Sequence, residues 1–191
     1  MQQNLQRQLN QILPRVTSRE FLAAEGLGNE IGFWVFDYPA ESELQVREHI
    51  LFIASALATR HSEIKFRHIN LFSTVVNYLT ERKFLGKSFD LQKEKGNDAL
   101  MRALAGPLAM KRLAPYIVDT HKAADQDLIF ISGIGSVWPL MRGHDLLNNL
   151  HALLGDTPVV LFYPGSYDGQ SLSLFGKVTS NNYYRAFKLV P

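Results

Sequence analysis

Hydrophobic and polar positions alternate along this chain in a few distinct registers. Leu5, Leu9, Ile12, Leu13 and Val16 recur at helical spacing and form one apolar stripe over residues 4–16. After a glycine loop at 25–30, the run IGFWVFDY at 31–38 is almost continuously apolar and rich in aromatic and β-branched residues, the pattern of a strand buried on both faces. Pro39 ends it, and the acids Glu41 and Glu43 open a helix over about 42–59, where negative charge suits the positive end of the helix dipole. IKFRHINL at 64–71 alternates as a second strand, and residues 72–85 read as a helix ended by Gly86. From 87 to 122 the chain is least strand-like and reads as two or three short helices broken at Gly96, Gly106-Pro107 and Pro115.

The stretch from Asp127 to Pro191 organises the rest. DLIFIS at 127–132 is a third strand, followed by the glycine loop Gly133-Ile134-Gly135-Ser136, a helix over 143–154 and a fourth strand at 158–163. Strand, glycine loop, helix and strand make a βαβ unit with two neighbouring parallel strands. Two further strand candidates, near 171–178 and 184–190, are separated by TSNN and suit an antiparallel edge hairpin. The expected fold is one three-layer α/β domain spanning 1–191. Its central sheet is mainly parallel, with a helical insert at 87–124 and a C-terminal edge hairpin. It is Rossmann-like or P-loop-like, without a phosphate loop.

Bulk composition narrows the chemistry. With 46% hydrophobic and 20% charged residues, the 191 residues suffice for a real core. There are no cysteines, which excludes disulfides, thiol catalysis and cysteine metal sites and fits a cytoplasmic location. A net charge of +2 gives no strong overall field toward nucleic acid. No apolar stretch approaches the length of a membrane span, and the N-terminal segment is polar and helical rather than a secretory signal.

The motifs with catalytic associations are incomplete. The Gly86-Lys87-Ser88 triplet lacks the upstream glycine of a phosphate loop, since position 81 is Glu81, and it follows a helix instead of a strand. The Gly133 loop is better placed, but the third glycine of a dinucleotide fingerprint falls on Trp138, and no acid ends the next strand near Tyr163. Asp37 ends an apolar strand, where it reads as the cap of the following helix. None of the six histidines has metal-ligand spacing. No catalytic residue, metal or cofactor is therefore assigned, and nucleotide hydrolysis is expected to be absent.

Ligands of open α/β sheets bind beyond the carboxyl ends of the strands. The polar residues expected there form a rim of Gly133, Gly135, Arg142, His144, Asp168 and Gln170, in which Arg142 and Asp168 have the charge and reach to pair. Asn148 and Asn149, poor helix formers, crowd the same helix start. A different surface would serve nucleic acid: Lys65, Arg67 and His68, Arg82 and Lys83, and Tyr183, Tyr184, Arg185 and Lys188, in which arginine beside tyrosine can stack bases and hold phosphate. Read as alternating faces of an edge strand, the last four have a plainer explanation.

Five blocks carry a resemblance: GLGNEIGFWVFDYP, ELQVREHI, ISGIGSVWPLMRGHDLLNNL, PVVLFYPGSYDGQSLSLFGK and NNYYRAFKLVP. They resemble the BrxB family, the small B proteins of bacterial BREX phage-defence systems, from Leu5 to Pro191. The resemblance implies a non-catalytic assembly part whose partners are other components, the alkaline-phosphatase-like Z protein or the DNA methyltransferase. It implies no catalytic residues. The alternatives are a nucleic-acid-binding accessory protein and, third, a degenerate nucleotide-binding protein.

Overall fold

The computed structural model describes residues 2–23, 32–179 and 186–191. Strands β1 (Phe33–Tyr38), β2 (Phe66–Asn70), β3 (Leu128–Ser132) and β4 (Val159–Tyr167) lie in the order β2-β3-β4-β1, all parallel. The two-residue β7 (Phe187–Lys188) adds to the far side of β1, also in parallel. The expected mainly parallel α/β sheet is therefore present, with each of the four predicted strands in place.

Every second side chain of β3 enters a different core. Leu128 and Phe130 join the cluster under α1 (Gln2–Val16), α2 (Arg19–Leu22) and α3 (Glu43–Arg60), where Leu9, Ile12, Ile50 and Ile53 meet Phe36 and Phe162. Ile129 and Ile131 join the opposite cluster, under α4 (Leu71–Glu81), α6 (Met110–His121), the short α7 (Ile134–Val137) and α8 (Gly143–Leu154). All five β3 residues are buried, which is why the sequence reads there as an unbroken apolar run. Phe130 sits at the middle of the first core, edge-on to both Phe66 (4.9 Å) and Phe162 (5.0 Å).

Three boundaries differ from the expectation. The helix predicted to end at Gly86 ends earlier. Lys83 takes the left-handed conformation (φ 59°), and the Phe84 N–H reaches back to the Leu79 carbonyl at 2.8 Å, so a lysine fills the place usually given to glycine. Gly86 instead lies in the first turn of α5 (Leu85–Ala105). Gly96 does break α5, with φ 77°, but Pro115 lies within α6 on its exposed side.

The tail also rearranges. The 171–178 segment folds on itself: β5 (Leu172–Leu174) pairs antiparallel with the end of β4 and with β6 (Val178–Thr179). The second tail segment does not join that hairpin; β7 crosses to the opposite side of β4 and pairs with β1. β4 can serve both partners because Val159–Tyr163 run in the parallel ladder, whereas Gly165–Tyr167 face β5.

The central position of Phe130 yields a stability test. Phe130→Ala should cost about 3–5 kcal/mol, the range for removing a buried aromatic ring, whereas Leu51→Ala on the exposed side of α3 should change stability by less than about 0.5 kcal/mol. Urea denaturation of both variants measures the difference.

Candidate functional site at the carboxyl edge of the sheet

The carboxyl ends of the parallel strands deliver Asn70, Ser132, Asp37 and Tyr38 to one edge of the molecule, beside the start of α7 and the β4–β5 hairpin. Gly133 turns the chain out of β3 in the left-handed conformation, φ 81°. A side chain there would press on the Asn70 amide, 3.3 Å from the Cβ position. Gly135 has a different task. A Cβ at that position would stand 2.9 Å from the Phe175 ring and 2.9 Å from Pro164 Cγ. The absent side chain is what lets Phe175 lie on α7. α7 itself stops after one turn, at Trp138, ahead of Pro139.

The two rim loops do come together, but through rings instead of charges. Phe175 meets Trp138 edge-on, with centroids 6.4 Å apart. Trp138 remains 41% exposed and Phe175 38% exposed. Among the described residues no ion pair joins Arg142 to Asp168. The Asp168 carboxylate is engaged by its own turn: it accepts from the Ser171 N–H (2.7 Å), the Gln170 N–H (2.8 Å) and the Ser171 hydroxyl (2.8 Å). Those donors, the Ser171 amide first, hold its carboxyl below the usual range. Arg142 is exposed just before α8 and lends its carbonyl to the Leu146 N–H. The neighbouring asparagines are consumed within α8: Asn148 Nδ2 donates to His144 Nε2 at 2.9 Å, and Asn149 Nδ2 to the Asp145 carbonyl at 2.7 Å.

Asp37 does not cap the following helix. It accepts from the Tyr167 N–H at 3.0 Å and pairs with Lys188 Nζ at 3.4 Å, so it ties β1 to the end of β4 and to β7. Next to it, Tyr38 donates to Glu43 (2.6 Å). Arg47 Nε donates to the same carboxylate (2.7 Å), and Arg47 Nη2 reaches the Ser136 hydroxyl at 3.4 Å. This chain of contacts links α3 on one face of the sheet to α7 on the other. Burial, more than the Glu43 bond, pushes the Tyr38 phenol far above its ordinary range.

A second polar cluster escaped the sequence reading. Ser132 and Thr74 are the two fully buried polar residues among those described. Ser132 Oγ shares a 2.8 Å hydrogen bond with His68 Nε2, and Asn70 Nδ2 approaches it at 3.5 Å. Thr74 Oγ1 donates to the Asn70 carbonyl (2.9 Å) and meets His121 Nε2 (2.9 Å), while Asn70 Oδ1 caps α4 through the Ser73 N–H (3.0 Å). Five side chains from β2, β3, α4 and α6 thus form one knot. A serine bonded to histidine is the start of a nucleophile–base pair. Here the hydroxyl is 3% exposed and its other neighbour is a capping amide, so the geometry serves cohesion. The residues are up to 64 positions apart, and no local pattern announces them.

The predicted nucleic-acid surface is divided. Lys65 and Arg67 lie at the β2 edge and Lys188 at the β7 edge, with β3, β4 and β1 between them. Tyr183, Tyr184 and Arg185 lie outside the described residues. Among the described residues, no cluster of three His, Asp or Glu is placed to hold a metal, and no helix is long and apolar enough to cross a membrane.

The histidine knot predicts acid lability. Burial first, and the neighbouring His121 second, lower the basicity of His68; burial and then Arg67 lower that of His121. Both pKa values therefore lie below the ordinary value of about 6.5 expected after unfolding. The unfolded chain binds more protons in that interval, so the stabilisation is whole above about pH 6.5 and drains as pH falls toward the lowered folded values. Melting temperature should drop on going from about pH 7.5 to 5.5. The His68→Gln/His121→Gln protein should show a shallower drop, and an unchanged slope would refute the assignment. His49, also lowered by burial, accounts for the residual slope.

Comparison with known proteins gives the fold a lineage. Residues 67–189 match the family model described as BREX protein BrxB. A BREX protein BrxB of Escherichia coli O9:H4 (strain HS) is 43% identical over 98% of this chain and 92% of its own length. One from Bacillus cereus (strain H3081.97) is 39% identical over 95% of each. No solved structure matches. At that identity over nearly the whole of three chains, this protein belongs to the BrxB family.

Proposed function

We propose that the chain is a non-catalytic assembly component of a BREX phage-defence system and that it docks another component through the carboxyl-edge rim. The observation that carries this reading is the Trp138–Phe175 pair. A tryptophan and a phenylalanine stand half out of the rim, packed on each other and on a glycine. Phe175 also holds a left-handed backbone, φ 55°, a conformation that costs a non-glycine residue about 1–3 kcal/mol. A turn selected for stability alone would carry glycine or asparagine there. Large aromatic residues at partly exposed, well-braced positions are the usual anchors of protein interfaces.

The partner class follows from the relatives, which are named as BREX proteins. Among the components that the resemblance implies, the alkaline-phosphatase-like Z protein and the DNA methyltransferase are the two to test. The polar groups of the rim support the surface and stand apart from chemistry: Asp168, Asp37 and Ser132 are each committed to neighbouring backbone or side-chain groups.

Co-expression of the tagged chain with each component, followed by affinity capture, tests the reading. Trp138→Ala and Phe175→Gly should each weaken capture at least about tenfold, the loss expected at an interface anchor. Their melting temperatures should stay close to that of the parent, because Phe175→Gly relieves backbone strain while it removes the ring. Arg142→Ala should leave both melting and capture unchanged. Full capture by the Trp138→Ala/Phe175→Gly protein would remove the rim as the docking surface.

A further inference from the structure

Charge is unevenly divided over this molecule. Residues 82–122 hold nine Lys and Arg against four Asp and Glu, a net of +5 in a chain whose total is +2. The rest of the chain is therefore net negative. The basic part comprises the turn after α4 and all of α5 and α6, over the second face of the sheet. Every one of its nine cations is exposed, and none takes part in an ion pair among the described residues. Low whole-chain charge had concealed this, because acids elsewhere cancel it.

α5 is also under-buried for a helix of 21 residues. Leu104 is its one fully buried side chain, with Leu85 and Leu100 partly packed on the core. Against that background Phe89 is out of place, 62% exposed on the N-terminal half of α5. Lys93 lies one turn further along the same side, where residues four apart are neighbours, whereas Lys87, two residues before Phe89, faces another side. On α4, Phe72 is likewise about half exposed, and Arg82 already lies over the Tyr78 ring at 4.4 Å.

We infer that the α4–α6 layer binds single-stranded nucleic acid, with Phe89 as a platform for one base, Lys93 beside it as a contact to phosphate, and Arg82 as a further cation of the same layer. Two arguments select this occupant. Lysines outnumber arginines six to three in the layer. Protein interfaces are depleted in lysine, whereas a phosphate needs only a mobile point charge. An exposed phenylalanine with a lysine one turn along offers what an unpaired base seeks, a flat apolar face with a cation near it; a duplex presents no free base face. The acids Asp90, Glu94 and Asp98 along α5 point the same way. They would oppose the regular phosphate rows of a duplex, while a flexible strand can pass between them. Because the rim and this layer use different residues, loss of one interaction leaves the other measurable.

The test is fluorescence anisotropy of the full chain with a labelled oligothymidylate of about 20 nucleotides, longer than the roughly 4–16 that a single OB-fold covers. Titrations run at several salt concentrations from about 50 to 200 mM. Binding is expected at low salt and should weaken by about 0.7 logarithmic units per phosphate contact for each tenfold rise in salt. Lys93→Glu should weaken binding and flatten that slope. Phe89→Ala should weaken it about 5- to 100-fold with the slope kept, as loss of stacking requires. Both side chains are exposed, so melting should be unchanged, and Lys177→Glu, outside the layer, should bind as the parent does. Absence of binding at low salt overturns the inference. So does binding indifferent to Phe89→Ala, tighter binding of a duplex of equal length, or equal competition by polyglutamate, which would mark the layer as a surface for acidic protein.

Discussion

Everything in this structure depends on a parallel sheet that is buried on both faces. β3 and β4 have no solvent side, so residues 128–132 and 159–163 bury every side chain. Such strands cannot be joined by hairpins; each needs a crossover, and the crossovers become the two helical layers. Once both faces are covered, the only places left for polar groups are the edges and the two ends of the strands. The carboxyl end receives Asn70, Ser132, Asp37 and Tyr38, and each finds a partner there within hydrogen-bond reach. The dense polarity of that edge is thus a consequence of topology before it is a sign of function.

That constraint explains what could be read from the chain alone. Apolar runs of strand length sit at nearly the predicted positions because burial on both faces leaves an uninterrupted signature. α8 begins and ends as expected for the same kind of reason: Gly143 follows an extended segment and Gly155 halts the chain. Helix ends governed by backbone rather than composition were less legible. Lys83 closes α4 in a conformation that glycine usually supplies, so Gly86, three residues on, drew the boundary. The direction of β7 was hidden too, since two residues pair with β1 by backbone hydrogen bonds that carry no side-chain pattern.

The rim residues illustrate a different limit. Charge and reach made Arg142 and Asp168 look complementary, yet Asp168 lies next to three donors in its own turn, closer in sequence than any arginine. Local bonds cost less ordering entropy than distant ones, so an aspartate before Gly169 is taken by its neighbours first. At Gly135 the missing side chain, and not backbone freedom, is what the packing uses, since a Cβ there would meet Phe175 and Pro164. The bonds that join His68, Thr74, His121 and Ser132 were invisible because cohesion between β2, β3, α4 and α6 draws on residues that are close only after folding.

The block from Phe162 to Lys177 then becomes intelligible as one device. At Pro164 the strand leaves the parallel ladder, and the carbonyl of that proline accepts from the Phe175 N–H at 2.8 Å. Gly165 follows, where a Cβ would collide with the Ser173 carbonyl, so β5 can cross directly over it. The Asp168 turn reverses the chain, and Tyr167 fixes its base by donating to the Ala186 carbonyl at 2.6 Å. The reversal returns Phe175 to Pro164 and Gly135, where the missing side chain leaves room for its ring on α7. Pro164, Gly165, Asp168 and Phe175 each contribute one contact or turn to this reversal. A strand that merely closed the sheet could have ended at Tyr163. The extra residues carry backbone strain at Phe175 and hold two partly exposed aromatic rings at the edge of the molecule.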